Sequence, residues 1–568
     1  MKTLMLSLCL LAAPLVALSQ TVAHSAAPAA PPGTAVTIHI DAAREKGPLT
    51  PIWAWFGHDE PNYTYAPNGK KLLSDIAALS PVPVYMRVHN LMNTGAGSHA
   101  LKWGATNMYT EDKDGNPVYE WTTVDRIFDT YIERKMKPLA QIGFMPAALS
   151  PKPQPYQHSW QPGTPYEQIM TGWAYPPTDY AKWSELIYQW VRHCVQRYGQ
   201  AEVESWYWEL WNEPDGHYLI AGDKQQEFFK MYDFAADAVK RALPTARFGG
   251  PHTAGTGKFY DNFLKHVLYG KNFATGKTGS PIDFIAFHAK GSPKVVGGVV
   301  QMDIGIHLTR IANGLKSVTA YPELKHLPVI IGESDPEGCA ACGMQTNPEN
   351  AYRNGSMYSS YTAASIAREY DLIDETGAKL IGAVNWSFEF EDQPWFAGFR
   401  ELATNGVNKP VLNVFRMLGM MEGNRVEVKG DLAYSAASMR ASGVRGARTD
   451  INALAARGAR SITVLVWNYH DLDVQDGGAP VALEIKGIPA SKVTLTHYRV
   501  DATHGNAYTA WKNMGAPQTP NAAQIAQLEQ ASRLAVLGEP AALPVTGGQA
   551  TVTMQLPRQG VSLIKLAY

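Results

Sequence analysis

Two glutamates in this chain follow short apolar runs that have the composition of β-strands. The run Trp206–Trp211 leads into Asn212 and Glu213, and the run Leu327–Gly332 leads into Glu333. Parallel strands of one barrel bring the side chains at their carboxyl ends to the same rim. Facing carboxyl groups about 5–5.5 Å apart cleave glycosidic bonds with retention of configuration. The pattern therefore predicts a glycosidase centre with Glu213 and Glu333 as its catalytic pair.

Each carboxyl group has its own task in a retaining double displacement. One glutamate attacks the anomeric carbon, while the other protonates the leaving oxygen and later deprotonates the incoming water. Asn212 beside Glu213 suits a hydrogen bond to the sugar 2-OH, which strengthens as the ring gains oxocarbenium character. The competing interpretation is structural, with each glutamate capping a helix or pairing with a lysine or arginine.

The elements needed to position these carboxylates are also visible in the sequence. Eight β-rich runs alternate with segments of helical period, which predicts an α/β fold built as a (β/α)8 TIM barrel. The rival doubly wound sheet needs a glycine-rich turn after its first strand, where this chain has Gly57-His58-Asp59-Glu60-Pro61. The predicted strands are Ile52–Gly57, Val82–His89, Pro138–Phe144, Val203–Trp211, Arg247–Pro251, Phe284–His288, Val329–Gly332 and Gly382–Ser387.

After residue 410 the pattern changes to short strands separated by turn residues, which predicts an accessory β-sandwich. Its strands are expected at Val426–Lys429, Ser461–Tyr469, Val481–Ile485, Lys492–Val500, Gln549–Leu556 and Ser562–Ala567, with a helical excursion from Ala522 to Leu537. Thr37–Ile40 alternates in the same way and is expected to join them. The predicted organisation is a signal peptide over 1–25, a linker over 26–36, a sandwich strand over 37–45, the catalytic barrel over 46–420 and the sandwich over 421–568.

The bulk properties exclude some partners. Lys and Arg total 50 against 51 Asp and Glu, so no global charge favours nucleic acid or an anionic membrane. Lys2 followed by the apolar run Leu4–Val16 has the form of a secretory signal, and the run is too short for a membrane span. We therefore expect an exported protein, periplasmic or secreted, whose partner is an oligosaccharide and which needs no cofactor.

The cysteines outside the leader fall into two groups. Cys194 lies on the apolar face of a predicted helix and is expected to be buried and inert. Cys339 and Cys342 form a C-x-x-C pair, which is typical of a redox motif or half of a zinc site. No second pair accompanies it, so a short-loop disulfide is the favoured interpretation in an exported protein.

Polar side chains cluster where the predicted barrel strands end. At these strand ends, His58, Phe144 and Lys290 are candidate substrate-binding residues. Glu209 shares an inward face with its neighbours and is interpreted as structural, with Arg87 as partner. Barrel metallohydrolases also place histidines at strand ends, but they open with His-x-His on the first strand, where His58 stands alone. We therefore predict no metal site.

A series of short motifs follows in order along the chain: Tyr85–His89, Tyr109–Asp112, Lys137–Pro146, His193–Gly199, Trp206–Asp215, Gly249–Pro251, Phe287–Ala289 and Val407–Pro410. Taken together, they resemble glycoside hydrolase family 39, the retaining β-xylosidases and α-L-iduronidases, from about Thr37 to the C-terminus. The resemblance implies a (β/α)8 barrel with a β-sandwich, Glu213 as acid/base and Glu333 as nucleophile. It further implies a sugar subsite whose lining includes His89, Asn212, His288, Trp386 and Glu391.

Two departures from the family pattern bear on the substrate. Lys290 occupies the position of a tyrosine beside the nucleophile. It either replaces the hydrogen bond of that tyrosine and lowers the pKa of Glu333, or it binds a substrate carboxylate. The nucleophile strand also continues into Ser334-Asp335 rather than an aromatic residue and asparagine.

The resulting prediction is an exo-acting β-xylosidase that releases xylose from the non-reducing ends of xylo-oligosaccharides. The alternatives are the same chemistry on a uronide, arabinoside, β-galactoside or exopolysaccharide, a non-catalytic carbohydrate-binding protein, and a barrel metallohydrolase. The segment Ser150–Asp179 either walls a pocket for exo action or lines a groove for endo action. The sandwich either only supports the barrel or helps to build the interface of a homo-oligomer.

Overall fold

The computed structural model describes residues 35–79, 81–474 and 477–568. The predicted leader and nearly all of the linker lie outside this range. Eight parallel strands form one sheet in which each strand pairs with its neighbours along the chain, and a bridge between Phe56 and Asn385 joins the first strand to the segment after the eighth. The barrel strands are Trp55–His58, Tyr85–Val88, Lys137–Ile142, Tyr207–Leu210, Arg247–Thr253, Phe284–Lys290, Pro328–Asp335 and Lys379–Ala383. The predicted (β/α)8 barrel is thus confirmed.

Helices pack around the barrel with their apolar faces inward, as their sequence period predicts. Aspartates cap three of them: Asp179 accepts from the N–H groups of Ala181 and Lys182, and Asp223 and Asp303 act in the same way. The α-helices are Pro67–Ala77, Thr122–Ile132, Tyr166–Ile169, Tyr180–Tyr198, Gln200–Val203, Lys224–Ala242, Lys258–Tyr269, Ile304–Thr319, Ser356–Thr376, Pro410–Gly419, Ala436–Ser442, Ala507–Asn513 and Ala522–Ser532. Short 3₁₀ turns occupy Pro61–Tyr65, Ala147–Leu149, Gly172–Ala174 and Pro348–Asn354.

Several predicted strand boundaries need correction. Val203 ends a short helix, and the N–H of Trp206 bonds back to its carbonyl, so the fourth strand begins only at Tyr207. The seventh strand continues past the predicted end to Asp335, which places Glu333 within the strand rather than after it. The eighth strand is shifted towards the N-terminus and ends at Ala383. Periodicity alone does not locate these ends, because turns and ladder hydrogen bonds decide them.

The barrel interior is layered. At the amino-terminal end of the strands, the rings of Trp55 and Tyr85 stack with centroids 4.0 Å apart, and Tyr207 packs against both. The next inward positions on the second and fourth strands hold Arg87 and Glu209, both fully buried, with Arg87 Nε 2.8 Å from Glu209 Oε1. The predicted pairing is confirmed. Because inward residues alternate along each strand, this charged layer lies directly beneath the rim.

The C-terminal strands and the first strand of the chain build the accessory module. Its ten strands form one mostly antiparallel sheet, in which nine follow a single hydrogen-bonded path and Ala541–Pro544 pairs beside it with Lys492–Val500. Side chains from many of these strands enter one apolar core. The strands are Val36–Pro48, Asn424–Gly430, Asp450–Arg457, Ser461–Tyr469, Ala479–Lys486, Lys492–Val500, Ala535–Val536, Ala541–Pro544, Gln549–Leu556 and Val561–Ala567. Two-stranded hairpins lie elsewhere, formed by Tyr109–Glu111 with Pro117–Tyr119, Lys294–Val296 with Val299–Gln301, and Ala403–Thr404 with Val407–Asn408.

Sequence patterns missed part of this module. The strand Asp450–Arg457 is rich in alanine, a weak strand former, yet it pairs along its whole length with Ser461–Tyr469. The first strand of the chain lies between Asn424–Gly430, to which it is antiparallel, and Ala479–Lys486, to which it is parallel. The predicted helical excursion ends at Ser532 rather than Leu537. In the described part of the chain, no helix has both the length and the apolar character for a membrane span.

We expect the buried Arg87–Glu209 pair to be costly to break. Arg87→Met leaves the Glu209 carboxylate in the barrel without its guanidinium partner, which should lower the free energy of unfolding by about 3–5 kcal/mol. The double variant Arg87→Met/Glu209→Leu removes both charges and should recover a large part of that loss. Urea unfolding of both variants checks this prediction, and equal midpoints for the single and double variants would contradict it.

Candidate active site

A cavity of about 230 Å³ opens at the carboxyl-terminal rim of the barrel, above the charged layer. Acidic, basic and aromatic groups share its wall, as is common where a site both orients a polar ligand and carries out chemistry on it. The lining residues are Asp59, Lys102, Tyr166, Asn212, Glu213, His217, Tyr218, Lys290, Glu333, Gly338, Cys339, Ala340, Trp386 and Arg400. Both predicted catalytic carboxylates therefore face this cavity.

Glu213 and Glu333 lie across the cavity floor with His288 between them. One ligand atom from each of the three residues lies within 4.8 Å of the other two. His288 Nδ1 is 2.9 Å from Glu213 Oε1 and 3.7 Å from Glu333 Oε1. The separation of the two carboxyl groups is thus nearer to the about 5–5.5 Å of retaining pairs than to the about 6.5–9.5 Å of inverting pairs.

Glu333 is buried among cations. Arg87 Nη1 lies 3.1 Å from Glu333 Oε1, and Lys290 Nζ makes a close contact with Glu333 Oε2. Burial by itself raises the pKa of the Glu333 carboxyl, but Lys290, His288 and Arg87 outweigh it and hold that pKa well below its usual range. Glu333 is therefore ionised at neutral pH, the state that a nucleophile requires.

Glu213 has a more open position. Its side chain is 20% exposed, compared with 8% for Glu333. Its backbone adopts a φ of 42°, in the left-handed region, and its N–H bonds to the His252 carbonyl at 2.9 Å. A non-glycine residue in that conformation is strained and must be held by its surroundings. Here the backbone leaves the strand after Leu210 and turns the Glu213 carboxyl towards the cavity.

Arg87 connects the structural layer to the reactive one. In addition to Glu209 and Glu333, its guanidinium donates to Asn212 Oδ1 at 3.0 Å. One arginine thus fixes the amide beside Glu213 and one oxygen of Glu333, and its planar fork of donors keeps both in a set orientation. Arg87 therefore links Glu333 of the seventh strand to the segment that follows the fourth strand and carries Glu213.

The predicted substrate-binding residues fall into two groups. Asn212, Lys290 and Trp386 line the cavity, and His288 touches both carboxylates. His89 lies just behind the wall, where its ring packs on Trp386 and its Nδ1 is 2.8 Å from Asp59 Oδ1.

Three other predicted residues are not among the described residues that line the cavity. The ring of His58 stacks on Phe388, Phe144 packs among other aromatic rings, and Glu391 accepts from the backbone N–H of Asn68 at 2.8 Å. We therefore do not propose His58, Phe144 or Glu391 as direct sugar ligands. Phe144 packs on the lining residue Tyr218, whereas the cited contacts of His58 and Glu391 are with residues outside the lining.

Sequence reasoning missed several wall residues because they stand on loops or short helical turns outside the periodic elements. Lys102 is buried and pairs closely with Asp59, and its Nζ is 3.4 Å from the Tyr218 hydroxyl. Tyr166 comes from the long segment Ser150–Asp179, which the sequence predicts either to wall a pocket or to line a groove. Arg400 follows the eighth strand and lies 3.5 Å from Asp335. Periodic patterns do not mark such positions, so only the composition of the long segment gave a signal.

The predicted disulfide and the predicted burial of Cys194 are both confirmed. A disulfide joins Cys339 and Cys342, and Cys194 is free and buried in the helix Tyr180–Tyr198. Cys339 belongs to the cavity wall. The disulfide therefore contributes directly to the cavity wall.

The Glu213–His288–Glu333 cluster has the spacing of a metal site as well as that of a glycosidase pair. Its surroundings disfavour a divalent cation, because Lys290 and Arg87 both contact Glu333 and would repel one. Glu213 and Glu333 face each other, and basic side chains contact Glu333. This arrangement suits acid–base and nucleophilic catalysis.

Lys290 should control the pH at which Glu333 becomes ionised. Its ammonium also pairs with Asp335 Oδ2 at 2.6 Å, so it is held firmly in place. Removing it in Lys290→Met should raise the pKa of Glu333, because a cation that stabilises the ionised form is lost. The acid limb of the kcat/KM profile should then move to higher pH. An unchanged acid limb would mean that Lys290 does not act on Glu333.

Comparison with known proteins agrees with this geometry. Residues 36–549 match the family model of the glycosyl hydrolases family 39. The chain is 28% identical to a β-xylosidase of Caldicellulosiruptor saccharolyticus over 74% of its length and 78% of that protein. It is 24% identical to the α-L-iduronidase of Mus musculus over 95% of its length and 82% of that protein.

A solved structure shares the fold. The crystal structure of a monomeric β-xylosidase from Caulobacter crescentus CB15 superposes with a TM-score of 0.71 at 22% identity, covering 94% of this chain and 99% of that one. The family match spans the barrel strands, both cavity carboxylates and most of the β-sandwich. The chain therefore belongs to family 39 of the glycosyl hydrolases, and its activity is that of an O-glycosidase.

Proposed function

We propose that this protein is a retaining glycosidase in which Glu333 is the nucleophile and Glu213 the acid/base. The observation that carries the proposal is the cluster of Glu213, His288 and Glu333, whose ligand atoms lie within 4.8 Å of one another. The cations around Glu333 keep it ionised for attack on the anomeric carbon. The more exposed Glu213 lines the cavity, where it is placed to protonate the departing oxygen in the first step and to deprotonate the incoming water in the second.

The reaction follows from this division of roles. The Glu333 carboxylate attacks the anomeric carbon as Glu213 donates its proton to the departing oxygen, which gives a covalent glycosyl-enzyme with inversion. Glu213, now ionised, takes a proton from water, and the water oxygen attacks the same carbon with a second inversion. Glu333 leaves as a carboxylate, and Glu213 is protonated again. Asn212, fixed by Arg87, is placed to hydrogen-bond the sugar 2-OH.

As substrate we propose the non-reducing end of a β-xyloside. Tyr166, Tyr218 and Trp386 stand around a small cavity, an arrangement that suits one terminal sugar and exo action. The β-xylosidase of Caldicellulosiruptor saccharolyticus, at 28% identity, supports the same substrate class. Export of the protein and cleavage of its leader within residues 1–25 remain part of this proposal.

One specific observation favours a second candidate substrate, a uronide. Lys290 and Arg400 both line the cavity beside the nucleophile, and the carboxylate they share, Asp335, is fully buried behind them. A xyloside has no charged group for such cations to recognise, whereas a uronide carries a carboxylate on C5. The α-L-iduronidase of Mus musculus, at 24% identity, is consistent with this alternative.

One assay tests both the mechanism and the substrate. Aryl β-xyloside and aryl α-L-iduronide are hydrolysed in separate NMR tubes containing EDTA, and the anomeric protons of the first sugar released are followed. We expect the anomer with the configuration of the substrate to appear first. The inverted anomer first would refute Glu333 as nucleophile. The relative kcat/KM values assign the substrate, and turnover of neither compound would refute both candidates.

A further inference from the structure

The loop after the nucleophile strand builds one wall of the cavity with its backbone. Gly338, Cys339 and Ala340 line the cavity on the same side as Glu333. None of the three has a side chain with a strong hydrogen-bonding group, so the polar groups they offer are peptide N–H and C=O. The orientation of those peptide groups therefore determines what this wall can bind.

Arg353 fixes the direction of the carbonyls. Its guanidinium is fully buried and lies on the side of the loop away from solvent. It donates through Nη2 to the carbonyls of Gly338 at 3.3 Å and Cys339 at 3.2 Å, and through Nη1 to that of Cys342 at 2.8 Å. Glu337 pairs closely with the same guanidinium and neutralises it. Both terminal nitrogens of this buried arginine therefore have acceptors, whereas its Nε has no hydrogen-bond partner among the described residues.

The planar peptide groups of this loop also determine the direction of its N–H donors. In a trans peptide, the C=O of one residue and the N–H of the next point in opposite directions. Because the carbonyls of Gly338 and Cys339 face Arg353, the N–H groups of Cys339 and Ala340 face away from it. Neither N–H bonds to another residue in the described part of the chain. Two adjacent free N–H groups at a cavity wall form a site for a hydrogen-bond acceptor.

The disulfide holds the same loop in place at a strained residue. Cys339 has a φ of 52°, in the left-handed region that non-glycine residues rarely adopt. Its bridge to Cys342 closes the turn, and Asn350 Nδ2 donates to the Cys342 carbonyl at 2.8 Å. The N–H of Arg400 also bonds to the Ala340 carbonyl at 3.0 Å. The conformation of the wall is thus imposed from several directions.

We propose that Arg353 and the Cys339–Cys342 disulfide are positioning elements of the sugar subsite, which aim the N–H groups of Cys339 and Ala340 at an oxygen of the bound sugar. This inference rests on the proposed function and deepens it. The oxygen is either a hydroxyl or a C5 carboxylate, and both are hydrogen-bond acceptors. Since Lys290 and Arg87, the cations that hold Glu333, stand on barrel strands outside this loop, the wall should govern substrate binding more than the chemical step.

The test compares the double variant Cys339→Ser/Cys342→Ser and the variant Arg353→Lys with matched controls. Cys194→Ser changes the buried free cysteine outside the site, and Arg425→Lys changes a buried arginine that pairs with Asp374. The double serine variant and Arg353→Lys should each raise KM about ten-fold or more, which corresponds to the loss of one hydrogen bond at a buried site. Their kcat should stay within about three-fold, and the acid limb of the pH profile should not move. Both controls should keep the wild-type KM.

Kinetics with the two aryl glycosides identify the oxygen. A KM increase confined to the iduronide would assign it to the C5 carboxylate, and an equal increase for both substrates would assign it to a hydroxyl. Either result supports the inference, whereas wild-type KM for both substrates in the double serine variant would overturn it. A decrease in kcat together with a decrease in the thermal unfolding temperature would also overturn it, because it would indicate a general loss of structure in the variant. The result for Arg353→Lys counts only if its far-ultraviolet circular dichroism spectrum matches that of the folded wild type. If it does not, the double serine variant alone decides the test.

Calorimetric binding of xylose and of glucuronate separates this inference from the proposed function. Binding needs no turnover, so it reports on the wall even if neither aryl glycoside is cleaved. Weaker binding to the serine variant than to the wild type would uphold the wall as a ligand site while the proposed reaction fails. Equal binding to both proteins, with normal turnover by the wild type, would refute the wall and leave the reaction intact.

Discussion

Replacing Glu333 with glutamine should reduce kcat on either aryl glycoside by on the order of 10⁴-fold or more, as expected when the nucleophile of a covalent mechanism is removed. The protein should nevertheless fold. Lys290 keeps its ion pair with Asp335, and Arg87 keeps its pair with Glu209, so neither buried cation is left without an anion. The measurement is single-turnover and steady-state hydrolysis together with a thermal unfolding curve.

The matched control for this variant is Glu369→Gln. Glu369 is also buried close to the seventh strand, where it accepts from the Ser334 hydroxyl at 2.8 Å, but it does not line the cavity. Burial raises the pKa of its carboxyl to about 8, so it is largely protonated at neutral pH and glutamine imitates it closely. We expect nearly wild-type activity. A Glu333→Gln enzyme with more than a few per cent of the wild-type rate would exclude Glu333 as the nucleophile.

Replacing Glu213 with alanine should affect the two chemical steps unequally. With an aryl glycoside whose leaving group needs no protonation, formation of the glycosyl-enzyme should proceed at nearly the wild-type rate. Its hydrolysis should slow by about 10²–10⁴-fold, because no general base activates the water. A burst of aryl alcohol followed by slow turnover should therefore be seen in stopped-flow traces. With a poor leaving group, both steps should be slow.

Azide identifies the lost function. It is a small anionic nucleophile that needs no general base, and the space left by the Glu213 side chain faces the cavity. We expect azide to restore turnover and to give a glycosyl azide with the anomeric configuration of the substrate. Glu227→Ala, which removes a carboxylate outside the cavity, serves as the control and should show neither burst nor rescue. No rescue by azide would remove Glu213 from the acid/base role.

Much of the architecture can be read from the sequence because it follows local periodicity. Helix Lys224–Ala242 and its neighbours obey a 3.6-residue apolar period, and each barrel strand is an apolar run of period two or a continuous buried run. The alanine-rich strand Asp450–Arg457 escaped notice because its residues have little strand preference of their own. Pairing with Ser461–Tyr469 makes it a strand, and such long-range pairing leaves no local signal.

The barrel and its two carboxylates can be predicted from sequence, because Glu213 and Glu333 stand at the ends of apolar runs and parallel barrel strands end at one rim. The sequence also indicated the Arg87–Glu209 pair, since an inward-facing charge in a barrel requires a partner. The loop residues that complete the site become visible only in the folded chain. Lys102, Arg400 and Arg353 are far from the carboxylates along the chain, and their contacts depend on how loops without periodicity fold over the rim. Loop paths follow from many weak contacts that no short stretch of sequence contains.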